Sequence, residues 1–337
     1  IAQISDVHLG LIIREDRLKR IIARIEEAQP DILVATGDLS HQEADSAVLD
    51  GAVMRGLQAF QRRHGLSPSG RLDAATASAL RVSARERANQ LAAALERWRW
   101  LPHELGSRYV LVRIADFELD LVEDGRPVMT RRVVVGEPYR RTPVFGSRIE
   151  RLVVNPSWYI PERIAREEVL PLLQADPEAS ARLGIRVWAG PGQAGSPVDW
   201  GAVANGDGPA RLVQLPGPPN PLGKIKFDFA NPFQVYLHDT PNPAVFGARE
   251  RDSSHGCVRV EGARELGAHL MGPDGGRGAV ELAAAWESTE TRILELPEPV
   301  PIYFLYWTAR VTADGEVHFR RDLYDGDRRL MAVLGLQ

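Results

Sequence analysis

The spacing of apolar residues changes near Ser107, and this change restricts the folds open to the chain. From about residue 50 to residue 99, apolar side chains recur at the spacing of amphipathic helices. Beyond Ser107 the apolar runs are short and separated by turns, as in Tyr109–Ile114 and Phe117–Val122, which is typical of an antiparallel meander. A chain of 337 residues is also too long for one small module. We therefore predict a multidomain α+β protein with a helical part and a larger, mainly β part.

The local patterns divide the chain into four segments. Residues 1–45 predict an isolated βαβ segment, too small to bury both faces of its own sheet. Residues 46–97 predict a small helical bundle. Residues 98–280 predict the main domain, in which helices and then a stretch rich in Gly and Pro form a long excursion over about 161–223. Residues 281–337 predict a C-terminal β extension of that domain.

Charge and cysteine content exclude several classes of protein and site. Lys and Arg number 41 against 45 for Asp and Glu, so the net charge of −4 gives no electrostatic reason to expect a nucleic-acid partner. We predict no membrane-spanning segment, because no apolar run is long enough for a transmembrane helix. With Cys257 as the single cysteine, neither an intramolecular disulfide nor a cysteine-built zinc site can form.

The surroundings of that cysteine are the strongest sign of chemistry in the sequence. Gly256 precedes it in a polar loop and allows a tight turn and the close approach of a substrate carbonyl. The backbone amides of His255, Gly256 and Cys257 could then face a developing oxyanion. His238, at the end of a predicted strand, is placed to take the thiol proton, and a thiolate beside an imidazolium is the usual form of a reactive cysteine. Arg259 could favour the thiolate or hold a substrate carboxylate.

The same residues are also compatible with a structural role that involves no chemistry. A free cysteine is most often a small buried apolar residue, and a lone histidine is most often structural. Two of the eight histidines fall within this short window, however, and Gly and Arg flank the thiol. This context favours a catalytic nucleophile.

The segments His238–Thr240 (HDT) and Ser254–Arg259 (SHGCVR) together resemble the signature of the L,D-transpeptidase (YkuD-like) family. Many members have Asn two residues after the cysteine, whereas Arg259 is similar to the larger Gram-negative murein transpeptidases. Three further stretches are similar to landmarks of that subgroup, namely 155–161, 223–227 and 301–308. The whole resemblance extends from about Trp98 to the C-terminus.

The resemblance implies a mainly β catalytic domain with a helical capping region over about 161–223. It also implies that Cys257 attacks an L,D peptide bond of a peptidoglycan stem peptide and releases D-alanine. An acceptor stem's amine then resolves the thioester and forms a cross-link. His238 would act as base and then as acid, oriented by Asp239 or its carbonyl. Backbone amides around Gly256 would stabilise the oxyanion.

The resemblance assigns further residues to the substrate. His255 would shape the loop or contact substrate, Arg259 and Ser254 would bind it, and Trp158 and Tyr159 would line the cleft. No cofactor or metal is implied. The implied partners are stem peptides and glycan of peptidoglycan, and the implied location is the periplasm or cell envelope, with any export signal upstream of residue 1. Carbapenems are implied to acylate the cysteine, and roles in cell wall organisation and cell shape follow from the same resemblance.

The helical segment from Met54 to Leu80 resembles a peptidoglycan-binding domain. Its landmarks are the stretch Leu57–Leu66 and a helix start at Asp73–Thr76. The alternative is a generic small helical bundle. A binding module would recruit the chain to the wall and take no part in the chemistry.

The first 40 residues resemble only the start of a calcineurin-like metallophosphoesterase. Asp6, His8 and Asp38 match metal-ligand positions of that family. Its later Gly-Asn-His and Gly-His-x-His motifs are missing, and three ligands cannot complete a two-metal site. Phosphoesterase activity is therefore a minor hypothesis, and we expect a truncated or fused fragment.

Two alternatives to cross-linking stay open from the sequence. An L,D-carboxypeptidase or a cross-link hydrolase would use the same cysteine and histidine with water as the acceptor. A protein of another class would bind the cell wall without catalysis, with Cys257 as a bystander.

Overall fold

A computed structural model describes residues 2–5, 33–36, 51–176, 178–187, 211–272, 276–312 and 314–335. These residues form two compact units. The first contains the described residues up to Trp100 and from Trp307 onward, and the second is Leu101–Tyr306.

The strands in chain order are β1 (Ala2–Ser5), β2 (Leu33–Thr36), β3 (Arg108–Arg113), β4 (Glu118–Glu123), β5 (Arg126–Gly136), β6 (Phe145–Val154), β7 (Trp158–Tyr159), β8 (Ile185–Val187), β9 (Leu212–Gln214), β10 (Ile225–Phe229), β11 (Leu237–His238), β12 (Asp252–Ser254), β13 (Val258–Val260), β14 (Arg292–Leu305), β15 (Ala309–Val311) and β16 (Val317–Phe319). The helices are α1 (Gly51–Arg63), α2 (Ala74–Arg81), α3 (Ala84–Trp98), α4 (Glu162–Ile164), α5 (Leu170–Ala175), α6 (Ala179–Leu183), α7 (Ala263–Met271), α8 (Arg277–Glu287) and α9 (Gly326–Leu334). A π-helical turn, Ala165–Val169, joins α4 to α5, and two 3-10 turns lie at Ile114–Asp116 and Pro243–Gly247.

At the N-terminus, β1 and β2 pair in parallel, as a βαβ segment requires. The helix predicted between them lies outside the described residues. So do Asp6, His8 and Asp38, the three positions that match metallophosphoesterase ligands.

The C-terminal residues pack with the helices of the first unit, so the compact units divide the chain differently from the predicted segments. We expected residues 281–337 to extend the main domain, but only the part up to β14 belongs to the second unit. Beyond it, the buried guanidinium of Arg97 in α3 lies 2.5 Å from Asp327 in α9, and Thr308 donates to the same carboxylate. A buried cation requires such a partner, and the partner is supplied by the C-terminal segment.

Local signals in the helical part are reproduced, with one exception. Asp73 caps α2 by accepting from the amide of Thr76, as the sequence indicates. The buried Gln61 of α1 donates to the Thr76 hydroxyl and ties the two helices together. The exception is Leu95 of α3, an apolar residue in the region of helical spacing that is 66% exposed, because Ala94 occupies the inward position against Ala309 and Phe319.

In the second unit, β5 closes the large sheet on itself. Its first half pairs with β4 and its second half pairs with β13, so the ladder runs β5–β13–β11–β10–β6–β14–β3–β4 and returns to β5. β12 adds in parallel to the end of β5. Along β5 the exposed residues end at Arg132, and every residue from Val133 to Gly136 is buried. This boundary is also where the neighbouring strand changes from β4 to β13. The prediction of a mainly β domain is confirmed.

The interior of this sheet and the capping region have separate apolar cores. Phe227, Ile149 and Phe304 are among the side chains that are fully buried within the sheet. In the capping region, β7, β9 and β8 form a small antiparallel sheet. The helices α4 to α6 and their π-helical turn pack with this sheet around Leu173 and Leu212. The stretch rich in Gly and Pro at the end of the predicted excursion contains strand β9 and the described turn that follows it, while 188–210 lie outside the described residues.

The turn that follows β5 has no room for a side chain at Gly136. A Cβ atom there would lie 2.1 Å from the carbonyl oxygen of Arg140 and 2.7 Å from the amide nitrogen of Thr142. The Gly136 amide donates to the hydroxyl of the buried Thr142 at 2.9 Å. Gly136 therefore fixes the course of residues 137–142, which reach the site described below.

We predict that Gly136→Ala lowers the free energy of unfolding by about 2 kcal/mol or more, because the added methyl group must displace backbone atoms. Gly247→Ala is the matched control in the same unit, since a Cβ atom there meets nothing within 4 Å. Its unfolding free energy should change by less than about 0.5 kcal/mol. Chemical denaturation followed by tryptophan fluorescence measures both. Equal unfolding midpoints for the two variants would contradict the tight turn.

Candidate active site

The ends of two neighbouring parallel strands bring the chemical residues together. β11 ends at His238, and β13 begins one residue after Cys257. His238 is directly opposite Arg259 in the parallel ladder. Because side chains alternate along a strand, His238, Arg259 and Cys257 point to one face. All three line a cavity of about 680 Å³.

His238 is buried, and one ring nitrogen is fixed. It is 4% exposed, and Nδ1 donates to the backbone carbonyl oxygen of Asp239 at 2.5 Å. Burial lowers the pKa of His238 to about 4, although the carbonyl of Asp239 acts in the opposite direction. The neutral ring with a proton on Nδ1 has a lone pair on Nε2. His238 is thus a neutral base with a set orientation.

The orienting group is the carbonyl of Asp239, one of the two alternatives that the sequence left open. The carboxylate of Asp239 instead accepts from the amide of Lys224 at 2.9 Å. Gly223 makes room for it, since a Cβ atom at this position (φ +62°) would lie 2.4 Å from the carboxylate. Burial raises the pKa of the Asp239 carboxyl. Asp239 therefore positions the histidine through its backbone.

Cys257 is a neutral thiol in this environment. Burial raises the pKa of the thiol, and this outweighs the opposing effects of the Tyr236 amide and of the positive charges on Arg259 and Lys226. A raised thiol pKa and a lowered histidine pKa both favour the uncharged pair. This differs from the thiolate–imidazolium pair expected from the sequence, because both groups lose hydration in the fold. The two side chains are not hydrogen-bonded to each other, so proton transfer requires the thiol to turn toward Nε2.

Buried hydrogen bonds hold the cysteine loop, residues Ser254–Cys257. The Ser254 hydroxyl donates to the carbonyl of Cys257 at 2.5 Å and accepts from the amide of Gly256 at 3.1 Å. Thr142 donates to the carbonyl of Gly256 at 2.9 Å. Gly256 has φ of +109°, a conformation that favours glycine. Ser254, which was expected to bind substrate, lines the cavity, but it is 3% exposed and its hydroxyl is used within the loop.

The amides of the cysteine loop differ in their availability to an oxyanion. The Gly256 amide is engaged by Ser254, so it is not free to stabilise one. Within the described part of the chain, the amides of His255 and Cys257 have no hydrogen-bond acceptor. Only these two of the three amides suggested by the sequence can donate to a substrate oxygen.

A charged network at the cavity edge, hereafter the rim network, joins the cysteine loop to the capping region. His255 Nε2 lies 2.6 Å from a carboxylate oxygen of Glu168 in the π-helical turn. Arg140 binds the same carboxylate at 3.1 Å and that of Glu167 at 2.9 Å. A third carboxylate, that of Glu137, lies 3.3 Å from Arg140. Burial lowers the pKa of His255, while the charge of Glu168 opposes this shift.

Three other predicted site residues lie at different places. Arg259 is partly buried and lines the cavity, and no described residue forms an ion pair with it. Trp158 also lines the cavity and packs on the capping core. Tyr159 does not line it and is 61% exposed. The expectation that Tyr159 lines the cleft is not met, because neighbouring residues of β7 face opposite sides.

The sequence did not indicate Arg140, Thr142 or Glu168 as site residues. Thr142 and Glu168 reach the cysteine loop through long-range contacts, and Arg140 is joined to it through Glu168. No local motif marks these residues. The one available signal was the Gly136-Glu137-Pro138 turn after a buried strand. In the part of the chain that the structure describes, no three His, Cys, Asp or Glu side chains are grouped as metal ligands. No helix among the described residues is long and apolar enough to cross a membrane.

Comparisons with known proteins agree on one family. The model of the YkuD L,D-transpeptidase catalytic domain matches residues 107–275. A curated Haemophilus influenzae protein named "Putative L,D-transpeptidase" is 32% identical over 223 residues, which are 66% of this chain and 45% of that protein. The chain thus spans about half the length of this relative.

Two solved structures illustrate more distant likeness. The L,D-transpeptidase from Mycobacterium smegmatis has 13% identity and a TM-score of 0.30, over 59% of this chain and 58% of that chain. The L,D-transpeptidase (Yku) from Stackebrandtia nassauensis has 11% identity and a TM-score of 0.27, over 90% and 97%. These scores are too low to support a conclusion. The family match covers half of the chain, including the cavity residues from Arg140 to Arg259, and the chain therefore belongs to the YkuD L,D-transpeptidase family.

Proposed function

We propose that the protein is a peptidoglycan L,D-transpeptidase that joins stem peptides through a thioester on Cys257. The observation that supports this most directly is the placement of the single cysteine. It lines one cavity with His238, whose ring is oriented by the Asp239 carbonyl. Nucleophile, base and orienting group are the three parts that covalent acyl transfer requires.

In the first half-reaction, the sulfur of Cys257 attacks the carbonyl carbon of the L,D peptide bond. The thiol proton passes to Nε2 of His238, and the tetrahedral oxygen receives hydrogen bonds from the amides of His255 and Cys257. The C–N bond then breaks, and the D-alanine amine leaves with the proton from His238. Because the starting pair is neutral, no buried charge has to be present before substrate binds.

In the second half-reaction, an amine of the acceptor stem attacks the thioester carbonyl and the C–S bond breaks. His238 takes a proton from the attacking amine and gives it to the sulfur, which regenerates the thiol. Water in place of the amine would give an L,D-carboxypeptidase or, on a cross-linked substrate, a hydrolase. Both alternatives use the same residues.

The remaining site residues bind substrate in this proposal. Arg259 has no carboxylate partner among the described residues and is able to hold a stem carboxylate. Trp158 offers an apolar wall. His255 contacts the acceptor. No cofactor takes part, and the reaction belongs in the periplasm or cell envelope, where peptidoglycan lies. The helices of residues 46–97 are proposed to recruit the enzyme to the wall.

We predict that Cys257→Ala abolishes conversion of stem tetrapeptide, because no thioester can form. Mass analysis of digested muropeptides reports the products: dimer shows transfer, and tripeptide alone shows hydrolysis. Ser253→Ala, an exposed change in a neighbouring residue, serves as the control and should behave as wild type. Identical products from wild type and Cys257→Ala would instead favour a wall-binding protein without catalysis.

We predict that the free thiol is protonated at neutral pH and ionises only above its ordinary range, because burial raises its pKa. The ultraviolet thiolate absorbance, with Cys257→Ala subtracted as background, measures this titration. The rate of acylation should stay level from neutral pH downward and fall only as pH approaches about 4, where His238 becomes protonated. A thiolate signal already present at neutral pH would contradict the neutral pair.

We predict that a carbapenem acylates Cys257, because the strained amide carbonyl of the drug is attacked in the same way as the L,D bond. Intact-protein mass analysis should show one drug adduct on wild type and none on Cys257→Ser. An adduct that survives in Cys257→Ser, or no adduct on wild type, counts against the assignment of the nucleophile.

A further inference from the structure

The pair formed by His255 and Glu168 has no role in the first half-reaction through its side chains. His255 stands two residues before Cys257 and lines the same cavity. Its Nε2 lies 2.6 Å from the Glu168 carboxylate, and Glu168 also lines the cavity. A histidine fixed by a carboxylate beside a reacting atom is the usual construction of a general base.

The ring of His255 has one nitrogen available for the cavity. When neutral, it donates its Nε2 proton to Glu168 and keeps a lone pair on Nδ1. Among the described residues, none is hydrogen-bonded to Nδ1. The side chain of His255 is 32% exposed, so a proton taken up on the ring can pass on to solvent.

The rim network keeps this pair in place and sets its charge. Arg140 bonds the carboxylates of Glu167 and Glu168, which the π-helical turn presents side by side. Of the charged groups that face His255, Glu168 and Glu137 raise its pKa, and Arg140 and Arg259 lower it. Burial is the largest effect and also lowers the pKa, so the ring is neutral at neutral pH and able to accept a proton.

The two acceptors of the second half-reaction differ in the protons they must lose. A side-chain amine of a stem peptide is an ammonium at neutral pH, with a pKa of about 10. It must lose one proton before it can attack and a second one afterwards. His238 can pass only one proton to the departing sulfur. Water needs to lose only one proton before the C–S bond breaks, and its second proton leaves later from the carboxylic acid product. At the stage of attack, amine transfer alone therefore requires a second base.

We propose that His255, positioned by Glu168, removes the first proton from the acceptor ammonium and thereby directs the thioester toward cross-linking over hydrolysis. The N–H bond of the ammonium breaks, its proton moves to Nδ1 of His255 and then to solvent, and the neutral amine attacks the thioester carbon. The second proton returns through His238 to the sulfur of Cys257. His255 is a catalytic residue in this scheme, and Glu168 is a positioning residue. The proposal rests on the proposed function.

The test measures the ratio of dimer to tripeptide formed from stem tetrapeptide by His255→Asn, Glu168→Gln and wild type. This ratio compares two fates of one acyl-enzyme, so any effect on acylation cancels. We expect it to fall at least about tenfold in both variants at neutral pH. It should recover as pH rises toward the pKa of the amine, because free amine then needs no base. Glu162→Gln is the matched control, since Glu162 pairs with Arg166 on the exposed side of the same helical stretch. It should keep the wild-type ratio.

The outcomes separate this proposal from the one on which it rests. If wild type forms no acyl-enzyme with tetrapeptide or carbapenem, the proposed function fails. If acyl-enzyme forms but wild type makes no dimer, the proposed cross-linking fails as well. If wild type makes dimer and both variants keep its ratio, only the role of His255 is overturned. A lower ratio that does not recover at high pH would show that Glu168 only shapes the loop, which also overturns the proposal.

Discussion

The double pairing of β5 is the constraint on which the site depends. Its first half pairs with β4, and its second half pairs with β13 and β12. Because the cysteine loop connects β12 to β13, the pairing that closes the sheet also positions this loop. Where β5 ends, Gly136 starts the turn whose Thr142 hydroxyl joins the Gly136 amide to the Gly256 carbonyl. The same turn carries Arg140, which binds the capping region. A shift of one residue along β5 would move the cysteine loop away from His238.

Burial decides the electrostatics of the reacting groups. His238 is buried and Cys257 is partly buried, and each is more stable in its uncharged form there. Arg259 lines the cavity as a charged group beside this pair, and the rim network adds Arg140 and its carboxylates at the edge, where they keep partial contact with solvent. An uncharged thiol and histidine suit the proposed reaction, in which the nucleophile and the acceptor both begin by losing a proton.

The sequence predicts best what is encoded locally. The loop around Cys257, the strand end at His238 and the cap of α2 at Asp73 depend on residues a few positions apart, and the structure has all three. Local patterns do not identify Glu168 as a site residue, because its contact with His255 depends on how the capping region packs against the cysteine loop. Tyr159 was misplaced for a related reason, since the direction of β7 is set by its pairing with β9. The ionisation of Cys257 also escaped prediction, because hydration is lost only in the folded chain.

The first unit is built from two pieces of chain that are far apart in sequence, with the catalytic unit between them. Arg97 in α3 finds its carboxylate on Asp327, at the other end of the polypeptide. During synthesis, the helices leave the ribosome before the strands and the helix that complete their core exist. The helical unit must therefore wait for the whole insertion to be translated, and it acquires its final packing last. The two units would then reach their final packing in the reverse of the order in which they begin along the chain.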